Sequence, residues 1–119
     1  MDQKSKDKLK GVDVRLVSVV ELAYTYSPVK FIVTEGLRTK ERQEQLVKQK
    51  ASKTMNSKHI VGKAVDIAPL VDGKVRWDWP LFYPVADAFK KAALELNVPL
   101  QWGGDWRTFK DGPHFEIKE

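Results

Sequence analysis

The chain has 119 residues, 42% of them hydrophobic and 10% aromatic, which suits one core of ordinary size and about one domain, read here as residues 1–119. No cysteine is present, so disulfides and thiolate metal sites are excluded, and a transition-metal site would have to use histidine, carboxylate and water. A formal charge of +5 permits attraction to any polyanion, but helix-turn-helix, zinc-finger and RNP-type signatures are missing, so no nucleic-acid partner is expected.

The opening "MDQKSKDKLKGVDVRL" is charged and lacks the apolar centre of a signal peptide, and no run approaches the roughly 18 apolar residues of a membrane span. A soluble product made in the cytoplasm is expected, without stable membrane insertion. After a polar leader of about ten residues, "DVRLVSVVELAYTYS" reads as a mostly buried helix, with Asp13 as cap and Val14, Val17, Leu22 and Tyr24 among its apolar positions. Pro28 ends it. "VKFIVTEG" is a short strand closed by Gly36, and "TKERQEQLVKQK" is a polar helix with Thr39 as N-cap.

"ASKTMNSKHIVGK" is weakly patterned and loop-like, and "AVDIAPLV" follows as a strand. "DGK" signals a hairpin turn into "VRWD". The longest helix is "WPLFYPVADAFKKAALELN", with Pro80 in its first turn and Pro84 tolerable only near that start. "VPLQWGGDW" reads as a strand and glycine turn, "RTFKDGP" as a loop and "HFEIK" as a closing strand. Helices come first and strands concentrate later, so the expected class is α+β with a small antiparallel sheet flanked by helices.

Both histidines fall at the edges of strand-like segments, His59 before "AVDIA" and His114 at the head of "HFEI". Either one alone is more simply a hydrogen-bonded structural residue. Asp66 changes that balance, because it sits among Ala64, Val65, Ile67 and Ala68, where a carboxylate is costly to bury without a partner. In an extended segment its face carries Ala64 and Ala68, small neighbours that leave room for an ion or an arginine. Asp111 precedes His114 by a short stiff Gly-Pro turn. Two histidines and a carboxylate are a common catalytic zinc set, and a second carboxylate can take the proton of the attacking water. A solvated loop aspartate is the rival reading of Asp111.

Ser57, His59, Gly62, Ala64 and Asp66 fit the pattern S-x-H-x-x-G-x-A-x-D, and here the chain resembles the D-alanyl-D-alanine carboxypeptidase family of zinc peptidases. "WGGDWRTFKDGPHFEI" is similar to the closing motif of that family's L-alanyl-D-glutamate endopeptidase branch, and "TEGLRTKERQEQL" to its arginine-bearing segment. The resemblance implies a hedgehog/DD-peptidase-like zinc peptidase fold, with one catalytic zinc ion held by His59, Asp66 and His114 and with Asp111 as general base. It also implies that Arg38 stabilises the oxyanion or grips the substrate's carboxylate; a surface salt bridge with Glu35 or Glu41 is the alternative.

Ser57 either contacts substrate or fixes its loop. Trp102 and Trp106 either wall the cleft or act as core lids, and Gln43 is either a substrate contact or part of a solvated helix face. The implied function is that of a phage endolysin cutting the L-alanyl-D-glutamate bond of peptidoglycan. Such an enzyme works as a monomer, without a separate wall-binding domain, and waits in the host cytoplasm until lysis opens the wall to it. A D-alanyl-D-alanine carboxypeptidase or dipeptidase, and a non-catalytic zinc-containing binding module, are the alternatives.

Overall fold

The computed structural model describes residues 1–50 and 57–119, so the first part of the expected loop "ASKTMNSKHIVGK" lies outside the described residues. The polar leader forms a helix rather than a tail: α1 (Gln3–Lys8) starts at Asp2, whose carboxylate accepts from the Ser5 backbone N–H. Its short span hid it from periodicity. Tertiary contacts stabilise it instead, because buried Ser5 accepts at Oγ from the Val33 N–H (2.9 Å), while Leu9 and Val12 just beyond it enter the core.

Helix α2 (Val14–Tyr26) is capped by Asp13 as expected. Its buried stripe is Leu16, Val19, Val20 and Ala23, the i, i+3, i+4, i+7 set of one helical face. Val14 lies off that stripe, at the first helical position, and is 78% exposed. Strand β1 (Lys30–Glu35) leads to α3 (Lys40–Lys48), where Thr39 accepts from the Arg42 N–H and so serves one of the N–H groups left unpaired at a helix start.

Strand β2 (Ala64–Val71) turns through Asp72 and Gly73, both at positive φ (52° and 77°), the geometry that matches hairpin twist. The returning strand β3 (Lys74–Val75) is shorter than the expected "VRWD", because the Asp78 carbonyl already accepts from Leu81 in a tight turn over Trp79–Leu81. Helix α4 (Phe82–Leu96) follows that turn. Pro84 falls in its first turn, where a missing N–H breaks no helical bond. The helix stops at Asn97, which adopts left-handed backbone (φ 56°). Strands β4 (Leu100–Trp102) and β5 (His114–Ile117) complete an antiparallel sheet of order β1-β2-β5-β4, with β3 paired to β2.

One face of the sheet carries Phe31, Val33, Val65, Ile67, Phe115 and Ile117 into a core shared with α2 and α4. Phe89 of α4 stacks on Phe115 with ring centres 3.9 Å apart. Alternation along the strands leaves the opposite face to polar side chains. That second face holds the site.

Candidate functional site

Strand pairing sets three side chains in one row. Glu35 of β1 lies opposite Asp66 of β2, which lies opposite His114 of β5, and Ala64 opposite Glu116 is the next same-face position along. Opposed residues on paired antiparallel strands project from the same face, so a sequence separation of nearly fifty residues collapses to a contact. Asp66 Oδ1 is 3.1 Å from His114 Nδ1. Irregular pairing between Val33 and Glu35 marks a bulge at the β1 end of this row.

His59 reaches the row from outside the sheet. Its loop is held locally, with the His59 N–H donating to Ser57 Oγ and the Gly62 N–H to the His59 carbonyl. Gly62 has φ +71°, and a Cβ there would stand 2.5 Å from the Gly11 carbonyl oxygen, so both backbone conformation and space require glycine. The ring is fixed by Nδ1 donating to the Gly36 carbonyl at 2.8 Å, which turns Nε2 toward Asp66 Oδ1 at 3.3 Å. His59 and His114 are both buried, and their rings stand edge to face at 5.1 Å.

His59, Asp66 and His114 thus offer one donor atom each, all within 4.8 Å of one another. Two imidazole nitrogens and a carboxylate oxygen so disposed form a cluster able to hold a divalent metal ion. Each imidazole is braced on its far nitrogen: His59 by a backbone carbonyl, and His114 by Glu116, whose Oε1 accepts from Nε2 at 2.8 Å. Such outer partners fix ring orientation and raise donor basicity. Lys58 in turn pairs with Glu116 at 2.9 Å. Glu116 was legible only through alternation, two residues from His114 in "HFEI".

Electrostatics separate the two aspartates of the cleft. Burial works against the Asp66 charge, but hydrogen bonds from His114 and His59 outweigh it and hold the carboxyl well below the usual range. Burial, reinforced by the charge of Asp66, pushes Asp111 upward. Asp111 therefore has the higher proton affinity of the pair. For His114, burial opposes the charge while hydrogen bonds to Asp66 and Glu116 push the pKa up to about 9.

Asp111 is placed by its backbone, its N–H donating to Gly103 (3.0 Å) and its carbonyl accepting from the His114 N–H (3.2 Å). A Cβ on Gly103 would come 2.4 Å from the Asp111 carbonyl oxygen, so the glycine turn lets the Asp111 loop settle against β4. Arg38 is largely buried and gripped on two sides. Its Nε and Nη2 donate to the two Glu35 oxygens (2.6 and 2.7 Å), and Nη1 donates to Gln43 Oε1 at 2.6 Å. The ion pair with Glu35 exists, but inside the cleft wall rather than on an open surface. Gln43 is fully buried, so the solvated-face alternative for it does not hold.

A cleft of about 840 Å³ collects these groups, lined by Arg38, Ser57, His59, Asp66, Trp106, Asp111 and His114 among others. The two tryptophans part company. Trp106 borders the cleft with its ring 5.1 Å from that of His114, whereas Trp102 is 3% exposed, donates from Nε1 to the Gly112 carbonyl and packs on Phe115 in the core. Among the described residues no helix is long and apolar enough to cross a membrane.

Comparisons with known proteins converge on one peptidase family. The family described as phage L-alanyl-D-glutamate peptidase matches residues 1–118. The L-alanyl-D-glutamate peptidase of Escherichia phage T5 is 36% identical over 118 residues, covering 96% of this chain and 85% of that protein. The crystal structure of the Serratia marcescens L-Ala D-Glu endopeptidase ChiX superposes with a TM-score of 0.95 at 42% identity, covering 99% of this chain and 89% of the other. The vancomycin-resistance D,D-dipeptidase VanXYg shares the fold at a TM-score of 0.55 and 18% identity, over 89% of this chain and 50% of that one.

Proposed function

Since the chain belongs to the phage L-alanyl-D-glutamate peptidase family, we propose that it hydrolyses the L-alanyl-D-glutamate bond of peptidoglycan with one zinc ion held by His59, Asp66 and His114. The protein is a peptidase, and peptidoglycan is its substrate. The observation that carries the reading is the convergence of two imidazoles and a carboxylate within 4.8 Å, in a cleft that also contains Asp111 and Arg38. A zinc ion held by these three residues would supply Lewis acidity, making water nucleophilic near neutral pH and polarising a carbonyl.

The remaining work belongs to the chain's own side chains. Asp111, with its raised proton affinity, takes a proton from the attacking water and delivers it to the departing amine of D-glutamate. Water's oxygen ends on the alanyl carboxylate, and the carbon–nitrogen bond breaks. Arg38 offers the N–H groups not spent on Glu35 and Gln43 to the negative charge that grows on the alanyl carbonyl oxygen. Ser57 fixes the loop that presents His59, consistent with its hydroxyl accepting from the His59 N–H. Trp106 walls the cleft beside His114.

Phage relatives support a role as an endolysin that reaches the wall when lysis admits it. The test is digestion of purified peptidoglycan with zinc-loaded protein, followed by mass spectrometry of the muropeptides. New D-glutamyl amino termini and stems ending in L-alanine are expected. Loss of terminal D-alanine alone would replace this reading with a carboxypeptidase.

A further inference from the structure

The charged side chains lining the cleft divide into a paired inner set, to which Arg38, Lys58 and Asp111 also belong, and an unpaired rim. In the inner set Asp66 lies between the two histidines, Glu35 holds Arg38 and Glu116 is bound to Lys58 and His114. On the rim stand Arg42, Lys50 and Lys110, all exposed and none with a carboxylate within ion-pair distance among the described residues. Several surface cations elsewhere are paired: Arg15 with Asp13 and Glu119, Arg76 with Asp78, Lys90 with Asp105. Three such cations around one opening attract an anion, and with a divalent ion on the floor the bias strengthens.

The substrate supplies such an anion at a defined place. A glutamyl residue inside a chain uses one carboxyl for the next peptide bond and keeps the other as a carboxylate, a few bonds from the scissile nitrogen. Arg38 is committed elsewhere, with three N–H groups donated to Glu35 and Gln43 and the other two assigned above to the alanyl oxygen. Arg42 lies four residues after Arg38, in the first turn of α3, and the guanidinium fork matches a carboxylate bidentately where the lysines offer point charges.

We infer that Arg42 is a specificity-determining residue that binds the free carboxylate of the D-glutamyl residue, with Lys50 and Lys110 providing long-range attraction to the acidic stem. This rests on the L-alanyl-D-glutamate reading above. The two arginines then act on opposite sides of the scissile bond, Arg38 at the carbonyl and Arg42 at the amine.

The experiment compares two synthetic stem peptides, one with D-glutamate and one with D-isoglutamine, whose α-carboxylate is an amide. Steady-state kinetics are measured on the zinc-loaded wild type, Arg42→Gln and Arg42→Lys. The wild type is expected to prefer D-glutamate. Arg42→Gln should raise KM for that peptide roughly ten- to hundredfold, the scale of a charge-assisted hydrogen bond, and affect the isoglutamine peptide far less. Arg42→Lys should recover part of the preference. Equal cleavage of both peptides by the wild type, or an equal loss on both in Arg42→Gln, would overturn the inference while leaving the activity intact. A wild type that cuts neither peptide would overturn the activity and the inference with it.

Discussion

Gln43, fully buried on the first turn of α3, accepts a 2.6 Å hydrogen bond from Nη1 of Arg38. The amide and the Glu35 carboxylate together hold the guanidinium from two sides, so its direction is fixed before substrate arrives. Gln43→Ala should therefore lower kcat by about tenfold, a cost of about 1.4 kcal/mol in the transition state. Zinc content should stay at the wild-type level. An unchanged kcat would show that Glu35 alone suffices to aim Arg38.

Asp111 carries the proton in the proposed reaction. Asp111→Asn keeps shape and removes basicity, so turnover should fall about 10²- to 10⁴-fold, the usual worth of general base catalysis. Metal analysis of the same preparation should show a full complement of zinc. Loss of metal in step with activity would instead make Asp111 a ligand.

Metal removal should separate chemistry from fold. The core built on Phe31, Phe89 and Phe115 lies on the far side of the sheet from the histidines. Chelation should abolish peptidoglycan hydrolysis and leave the far-ultraviolet circular dichroism near its starting value, with zinc restoring activity. Collapse of the dichroism signal on chelation would show that the ion also holds the fold together.

Acid stability should depend on Asp13. Hydrogen bonds from the Arg15 side chain and backbone lower its pKa from the usual 3.8 to about 2. A depressed folded pKa means that the stabilisation is complete above the unfolded value and is lost as pH falls through the folded one. Asp13→Ala should lower Tm at neutral pH, and the two proteins should converge as the pH approaches about 2. A constant gap down to that pH would assign the effect to helix propensity instead of the carboxylate.

Gly62→Ala should destabilise the protein by about 1–3 kcal/mol, because the residue needs positive φ and because the added methyl meets the Gly11 carbonyl oxygen. Thermal denaturation measures this directly. A Tm matching the wild type would mean that the loop carrying His59 yields without cost.

The fold class and the residues that gather in the cleft were both legible in the sequence, and the details were not, for identifiable reasons. Asp66 stands out as a carboxylate among apolar residues, whereas His59, His114 and Asp111 read alone as structural or solvated and are picked out by the family pattern they share. Gln43 and Glu116 do not, since a glutamine in a polar helix and a glutamate in an alternating strand look solvated until their neighbours are known. Trp102 and Trp106 flank the same two glycines, yet one faces the core and the other the cleft. The α1 helix escaped notice because six charged and polar residues have no periodicity, and its stability comes from Ser5 and its contact with β1.

The row Glu35, Asp66, His114 runs across three strands, and a shift of β5 by a single residue would bring Phe115 opposite Asp66 in place of His114. Such a chain would expose the Phe115 ring that stacks on Phe89 and lose a proposed metal donor in the same step. Misaligned molecules are therefore inert rather than partly competent. In the proposed endolysin role, lytic power is then confined to copies whose sheet has closed correctly.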